Sequence, residues 1–408
     1  MSRSCVAILF AALALVEVPA SAQMSHEHGH DHSAVTGCAE PTLACATSAT
    51  PAFGPDGSLW LAWAAGSRVS VARSHDLGRS FGDPVAVNPQ PVRLDTGPDE
   101  RPSIVVDQDG RIYVAYAAFR DAAYNGEVFF SRSTDGGASF AEPQPITPDT
   151  TSQRFEVVAF DPAGRLFAAW VDKRNTVVAR REGKSYVGAA LAFAWSDDAG
   201  VTFSAARIAK DNTCECCRLG VAFAGAGHPV VLFRNVFEDH VRDHAITTFS
   251  DPETPGPIHR VSDDNWQIDA CPHHGPSLAV APDGSYHAVW FTGGTAREGV
   301  FYARSVDGGR TFSSPMPLGG KDHSPSRPYV MTVGDDVWLA WKEFDGTQTN
   351  VVVMVSHDHG ATFSEPRPVA STTERSDHPL LVSDGHRPFL SWLTRHEGYR
   401  LLPLENSL

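Results

Sequence analysis

One eight-residue motif, which recurs five times, constrains the fold of this 408-residue chain more than any other feature. It reads Ser-x-Asp-x-Gly-x-Ser/Thr-Phe, and a short apolar strand, a turn and a second strand precede each copy. The turns contain Gly or Asp, which tolerate positive φ and therefore suit hairpins. The pattern predicts one domain of equivalent stacked units, although a chain of this length usually forms two or three domains. The copies occupy residues 74–81, 133–140, 196–203, 305–312 and 356–363.

Seven repeat units can be counted, and they start about 50 to 60 residues apart, slightly more than a four-stranded propeller blade usually needs. The unit around residues 250–258 has lost the motif, and the last unit shows only three strand patterns. Because a propeller hides its strand edges by closing the ring, we expect residues 36–47 to supply the missing outer strand, stapled by Cys38 and Cys45. The prediction is an all-β propeller of seven blades, with six blades as the alternative. The units start near Pro51, Arg101, Phe155, Arg218, Gly275, Arg327 and His378.

These motifs resemble the Asp-box, or BNR, repeats of the sialidase superfamily over roughly residues 51–404. The resemblance implies that each box forms the turn between the third and fourth strands of a blade. It also implies that the box aspartate bonds the turn backbone and that the box aromatic residue packs between blades. A fold does not specify an activity, so the boxes predict structure rather than chemistry. The structural aspartates are Asp76, Asp135, Asp198, Asp307 and Asp358.

The N-terminal residues are typical of a cleavable signal peptide. Arg3 precedes an apolar run over residues 6–16, and an A-x-A site ends at Ala22. We therefore expect a signal peptide at 1–22, a His-rich tail at 23–36 and one propeller domain at 37–408, in the periplasm or secreted. No later stretch is apolar enough for a membrane helix, so membrane insertion is not expected.

The net charge narrows the class of binding partner, and the cysteine count bears on disulfide formation. A net charge of −15 disfavours nucleic acid, because nothing would neutralise the phosphates. Six of the seven cysteines lie beyond the predicted signal peptide, and an even number in an oxidising compartment favours disulfides.

Strand connectivity divides the expected propeller into two faces. In a four-stranded meander the first and third turns lie at one end, so the Asp boxes and the PDG-type turns share a face. The inter-blade segments share the opposite face and lead into the innermost strands at the mouth of the central channel. Since loops on a rigid scaffold hold most binding sites, this channel face is the candidate site for a small ligand, a metal ion or a protein partner.

Two inter-blade segments concentrate cysteine and histidine. Thiolates and imidazoles are ligands that copper and zinc prefer, and the two segments open successive units, so they predict a shared metal site at the channel mouth. The alternative is a pair of disulfides, such as Cys214–Cys271 with Cys216–Cys217, or another pairing. The tail adds an independent chelating sequence. The candidate ligands are Cys214, Cys216, Cys217, Cys271, His273 and His274, with His26, His28, His30 and His32 in the tail.

The resemblance also implies an alternative function, an exo-sialidase-like glycoside hydrolase. Sialidases hold the substrate carboxylate with three arginines and attack with a tyrosine that a glutamate activates. The candidates here are Arg101, Arg218 and Arg327, with Tyr329 on the same strand face as Arg327 and Glu156 as its partner. The chain departs from the family pattern, because TPAF stands where sialidases carry Arg-Ile-Pro and no acid/base aspartate matches a motif. We therefore favour a binding protein, with copper or zinc as the candidate ligand, over an enzyme; a protein-interaction scaffold is the second alternative.

Overall fold

Twenty-seven strands in seven antiparallel sheets form the part of the chain that the computed structural model describes, residues 41–404 without residue 271. Consecutive strands pair in order within each sheet, so every blade is a meander. Blade 1 consists of β1 (Ser48–Phe53), β2 (Leu59–Ala65), β3 (Arg68–Ser74) and β4 (Val85–Ala86). Blade 2 consists of β5 (Ser103–Val106), β6 (Ile112–Phe119), β7 (Gly126–Ser133) and β8 (Gln144–Pro145). Blade 3 consists of β9 (Gln153–Phe160), β10 (Leu166–Asp172), β11 (Ala189–Ser196) and β12 (Arg207–Thr213). Blades 4 and 5 consist of β13 (Gly220–Phe223), β14 (Pro229–Arg234), β15 (His244–Asp251) and β16 (Thr254–Arg260); and β17 (Ser277–Val280), β18 (Tyr286–Gly293), β19 (Glu298–Ser305) and β20 (Met316–Leu318). Blades 6 and 7 consist of β21 (Ser326–Val333), β22 (Asp336–Phe344), β23 (Thr349–Ser356) and β24 (Arg367–Thr372); and β25 (Leu380–Ser383), β26 (Pro388–Thr394) and β27 (Gly398–Pro403).

The first strands of the seven sheets form a closed ring. Each contacts the first strand of the next blade, from β1 through β5, β9, β13, β17 and β21 to β25, and β25 contacts β1. The prediction of a seven-bladed propeller is therefore confirmed. Within the described part of the chain, no helix is both long and apolar enough to cross a membrane.

The core lies between the blades. All eight residues of β6 and all eight of β11 are buried, because a second or third strand is covered by a neighbouring sheet on each face. Equivalent tryptophans repeat on the second strands of several blades and are almost completely buried: Trp170, Trp290, Trp341 and Trp392.

The Asp boxes form the turns between the third and fourth strands, as the resemblance implies. In the box of blade 2, Ser133 Oγ donates to Asp135 Oδ1 at 2.8 Å and accepts from Gly137 N at 2.9 Å. Ser139 Oγ donates to Asp135 Oδ2 at 2.6 Å, and hydrogen bonds from Ser139 lower the pKa of Asp135 to about 2. The box aromatic residues pack between blades: Phe203 of blade 3 lies edge-on to Phe130 of blade 2, with ring centroids 4.9 Å apart. The turn serine is buried, whereas the aspartate is exposed to solvent.

Blade 7 contains three strands in the described part of the chain. The segment before β1 does lie beside it, because the 3-10 helix Leu43–Cys45 contacts β27. Residues 43–45 are helical rather than extended, and residues 36–40, including Cys38, lie outside the described residues, as do the signal and tail predictions.

Helices are few. The loop between β10 and β11 contains one α-helix, α1 (Arg174–Arg181), which the sequence pattern did not predict. Two further 3-10 helices, Glu238–His240 and Lys321–His323, lie in other loops.

Candidate functional site

A cavity of about 170 Å³ lies where the innermost strands begin, on the face opposite the Asp boxes. We call it the channel cavity. Its polar lining includes Glu100, Arg101, Glu156, Arg218 and Tyr329, all from the inter-blade segments or the strand starts that follow them. Polar residues of the inter-blade segments therefore converge on the face that strand connectivity indicated.

Beside this face, three cysteine thiols converge in the link from β12 to β13. Cys214 Sγ lies 3.7 Å from Cys216 Sγ and 3.6 Å from Cys217 Sγ, and all three sulfur atoms lie within 4.8 Å of one another. A turn at residues 215–216 brings these near neighbours in sequence together. The three residues, which we call the thiol cluster, stand as thiols and are at most 2 % exposed.

Two buried arginines adjoin the thiol cluster. Arg242 Nη1 donates to Cys214 Sγ at 3.3 Å, and Arg234 donates through Nη1 to the Arg242 carbonyl at 2.8 Å. Hydrogen bonds from the other two thiols lower the pKa of Cys214 well below its ordinary value, and the charges of Arg234 and Arg242 act in the same direction. The surroundings therefore favour a thiolate, which is the form of cysteine that binds metal.

The segment that carries His273 and His274 packs against the segment that carries the thiol cluster. Arg234 Nη2 donates to the His274 carbonyl at 2.9 Å, and a side chain at Gly275 would overlap Arg218. Burial holds the pKa of His274 well below its ordinary value, so its imidazole is neutral, as metal binding requires. Because Cys214, Cys216 and Cys217 stand as thiols, the alternative disulfides Cys214–Cys271 and Cys216–Cys217 are not formed in this structure. Cys271 itself lies outside the described residues.

The three arginines proposed for a hydrolase are occupied by carboxylates of the protein itself. Arg327 Nη1 lies 2.8 Å and Arg218 Nη1 3.3 Å from the Asp99 carboxylate. Arg101 is paired with Asp377, with Nη2 2.5 Å from Oδ1. The three guanidinium groups do converge, but each already pairs with one of two internal carboxylates.

Glu156 adjoins another carboxyl group rather than Tyr329. Glu100 accepts the Phe155 N–H with both carboxylate oxygens at 3.0 Å, and the carboxyl group of Glu156 interacts with that of Glu100. Burial raises the pKa of Tyr329, and the charges of Arg218 and Arg101 act against that rise. Glu156 is not among the groups that affect this pKa. The expected pairing of tyrosine and glutamate is thus not formed among the described residues.

Backbone irregularities determine where the side chains of Glu156 and Tyr329 lie. Phe155 and Arg327 have positive φ, 57° and 56°, and the pairing of their strands with β10 and β22 shifts register beside them. Such conformations are costly for residues with a Cβ and cluster at functional sites. They also break the strict alternation from which Tyr329 and Arg327 were placed on one strand face. Arg154, on the first strand of blade 3, pairs with Asp95, its Nη2 3.0 Å from Oδ1.

Comparisons with known proteins identify the fold. No protein-family model matches the chain, and no curated protein matches it significantly. Among solved structures, an ulvan lyase of polysaccharide lyase family PL25 aligns with a TM-score of 0.54 at 10 % identity, covering 85 % of this chain and 90 % of the lyase. The leech intramolecular trans-sialidase aligns with a TM-score of 0.50 at 13 % identity, covering 85 % and 82 %. At such low identities the likeness shows a sialidase-like propeller fold and nothing about activity.

Proposed function

We propose that this sialidase-like β-propeller binds a transition-metal ion, copper or zinc, through the thiol cluster. The observation that carries the proposal is the convergence of three buried sulfur atoms within 4.8 Å of one another. Copper(I) and zinc are the ions that all-sulfur sites of this kind select.

The charges around the cluster support the same function. Three thiolates buried together would repel one another strongly, and Arg242 and Arg234 offset part of that repulsion before a cation binds. His273, His274 and Cys271 belong to the proposal as further ligands because their segment packs on that of the cluster. Export through residues 1–22 and chelation by the histidines of residues 23–36 are parts of the same proposal, supported by the sequence alone.

We rank a sialidase-like hydrolase second. Arg101, Arg218 and Tyr329 line one cavity, which favours it. Asp99 and Asp377 pair with the arginines, and the tyrosine lacks its glutamate. Both features weaken binding of a substrate carboxylate and activation of the nucleophile.

The test is metal reconstitution under reducing conditions. Purified protein is loaded separately with copper(I) and zinc(II), and bound metal is measured after desalting against a weak competing chelator. We expect about one ion per chain, lost in Cys214→Ser and in Cys217→Ser. A variant with His26, His28, His30 and His32 all replaced by alanine is the matched control, and it should retain that ion. Equal metal content in the cysteine variants and the parent protein would contradict the proposal.

A further inference from the structure

The channel cavity contains a buried pair of carboxyl groups that takes no part in the proposed metal site. Glu100 and Glu156 are 6 % and 5 % exposed. Both carboxylate oxygens of Glu156 are buried and, apart from the Glu100 carboxyl group, have no hydrogen-bond donor among the described residues. Its polar neighbour is the Glu100 carboxyl group. A carboxyl group placed in this way strongly favours a ligand that brings its own donors and positive charge.

The charges that face this pair leave its side of the cavity acidic. Asp95 lies close to both glutamates but is paired with Arg154, so one guanidinium faces three carboxyl groups. Burial raises the pKa of Glu156 to about 7 and that of Glu100 well above its ordinary value. Ionising both of two adjacent carboxyl groups costs much free energy, so the pair retains a proton near neutral pH.

The other side of the cavity carries surplus positive charge. Arg218, which lines the cavity, shares the single Asp99 carboxylate with Arg327. His378, which also lines it, adds no charge because burial holds its pKa well below its ordinary value. Two guanidinium groups on one carboxylate leave about one positive charge beside the cavity.

Apolar residues and a small volume complete the cavity. The cavity is also lined by Phe155, Leu219, Val221, Leu278 and Leu380. The volume of about 170 Å³ is well below that of pockets for drug-sized ligands, roughly 300–1,000 Å³. The occupant must therefore be small, with opposite charges at its two ends and little polarity between them.

We propose that the channel cavity binds a small zwitterion of the amino-acid class, with its ammonium group on the Glu100–Glu156 pair and its carboxylate towards Arg218. A simple cation would be repelled by Arg218, and a simple anion by the carboxyl pair. The ammonium takes the place of the proton that the two carboxyl groups share, so binding releases that proton to solvent.

The experiment is isothermal titration calorimetry of the full protein near neutral pH. The probes are glycine and L-leucine as zwitterions, ethanolamine as a cation and acetate as an anion. Repeating each titration in two buffers of different ionisation enthalpy counts the protons released. We expect at least one zwitterion to bind with proton release, and both single-charge probes to bind at least about tenfold more weakly, the loss of one charged hydrogen bond.

Variants locate the binding. Glu156→Gln and Glu100→Gln keep the shape of the side chain, and each should weaken zwitterion binding about tenfold or more and abolish proton release. Glu142→Gln, which changes an exposed glutamate, is the matched control, and Cys214→Ser should leave this binding unchanged. The proposal is overturned if neither zwitterion binds, if ethanolamine or acetate binds as well as the zwitterions, or if folded Glu156→Gln and Glu100→Gln proteins bind like the parent.

Discussion

Replacing Glu156 with glutamine should change how the stability of this propeller depends on pH. The side chain keeps its size, and its buried oxygens have no donor among the described residues apart from the Glu100 carboxyl group. Burial is the main cause that raises its pKa from the ordinary 4.5 to about 7. A carboxyl group whose pKa is raised on folding binds more protons in the folded protein than in the unfolded chain. Its contribution to stability is therefore complete below the unfolded pKa and is lost as the pH rises through the folded pKa.

The size of the effect follows from these two pKa values. For this one group, each pH unit between 4.5 and about 7 lowers the free energy of unfolding by about 1.4 kcal/mol, so ionisation of Glu156 should cost the parent protein on the order of 3 kcal/mol across this window. Glu156→Gln removes this contribution, whereas Glu100 stays buried and its own pKa stays raised by burial. The stability of the variant should therefore still fall with pH, but by about 3 kcal/mol less than that of the parent protein over the same window.

Urea denaturation at several pH values between about 5 and 8 measures this difference. The parent protein, Glu156→Gln and the control Glu142→Gln are compared, because the control makes the same substitution at an exposed position. Parallel profiles for the parent and Glu156→Gln would show that Glu156 is ionised when folded and would refute the argument.

Three other changes test separate parts of the structure. Ser133→Ala removes the buried acceptor of a turn amide and should cost about 1–3 kcal/mol in urea denaturation; an unchanged midpoint would contradict the structural role of the box. Arg242→Gln should raise the pKa of the Cys214 thiol, measured from thiolate absorbance against pH, and an unchanged titration would remove the arginine from the site. The parent protein should hydrolyse methylumbelliferyl sialic acid no faster than an Arg327→Ala, Tyr329→Phe double variant does. Turnover by the parent protein that this variant abolishes would favour the hydrolase.

The sequence predicted the propeller because the information is local and repeated. Each Asp box closes its turn with its own serine and aspartate, so five copies mark the third-to-fourth turns of five blades without any long-range contact. The three strands of blade 7 were also found by their apolar patterns. The helix α1 was missed because a loop of polar and basic residues gives no periodic signal.

The candidate site was predicted less completely. Residue type and spacing identified the thiol cluster, since three cysteines within four positions need only a turn to converge. The Glu100–Glu156 pair joins two blades and depends on a register shift beside Phe155, which the alternation rule does not anticipate. The pairing of Arg327 with Asp99 spans 228 residues and had no sequence signal.

Sulfur coordination of bound metal tests the central claim most directly. X-ray absorption at the metal edge of the reconstituted protein, combined with thiol counting, reports how many sulfur atoms bind the ion. The account predicts at least three sulfur ligands, at about 2.3 Å if the ion is zinc, and three fewer reactive thiols in the loaded protein. A spectrum without sulfur ligands, or all six cysteines beyond residue 22 found in disulfides, would contradict it.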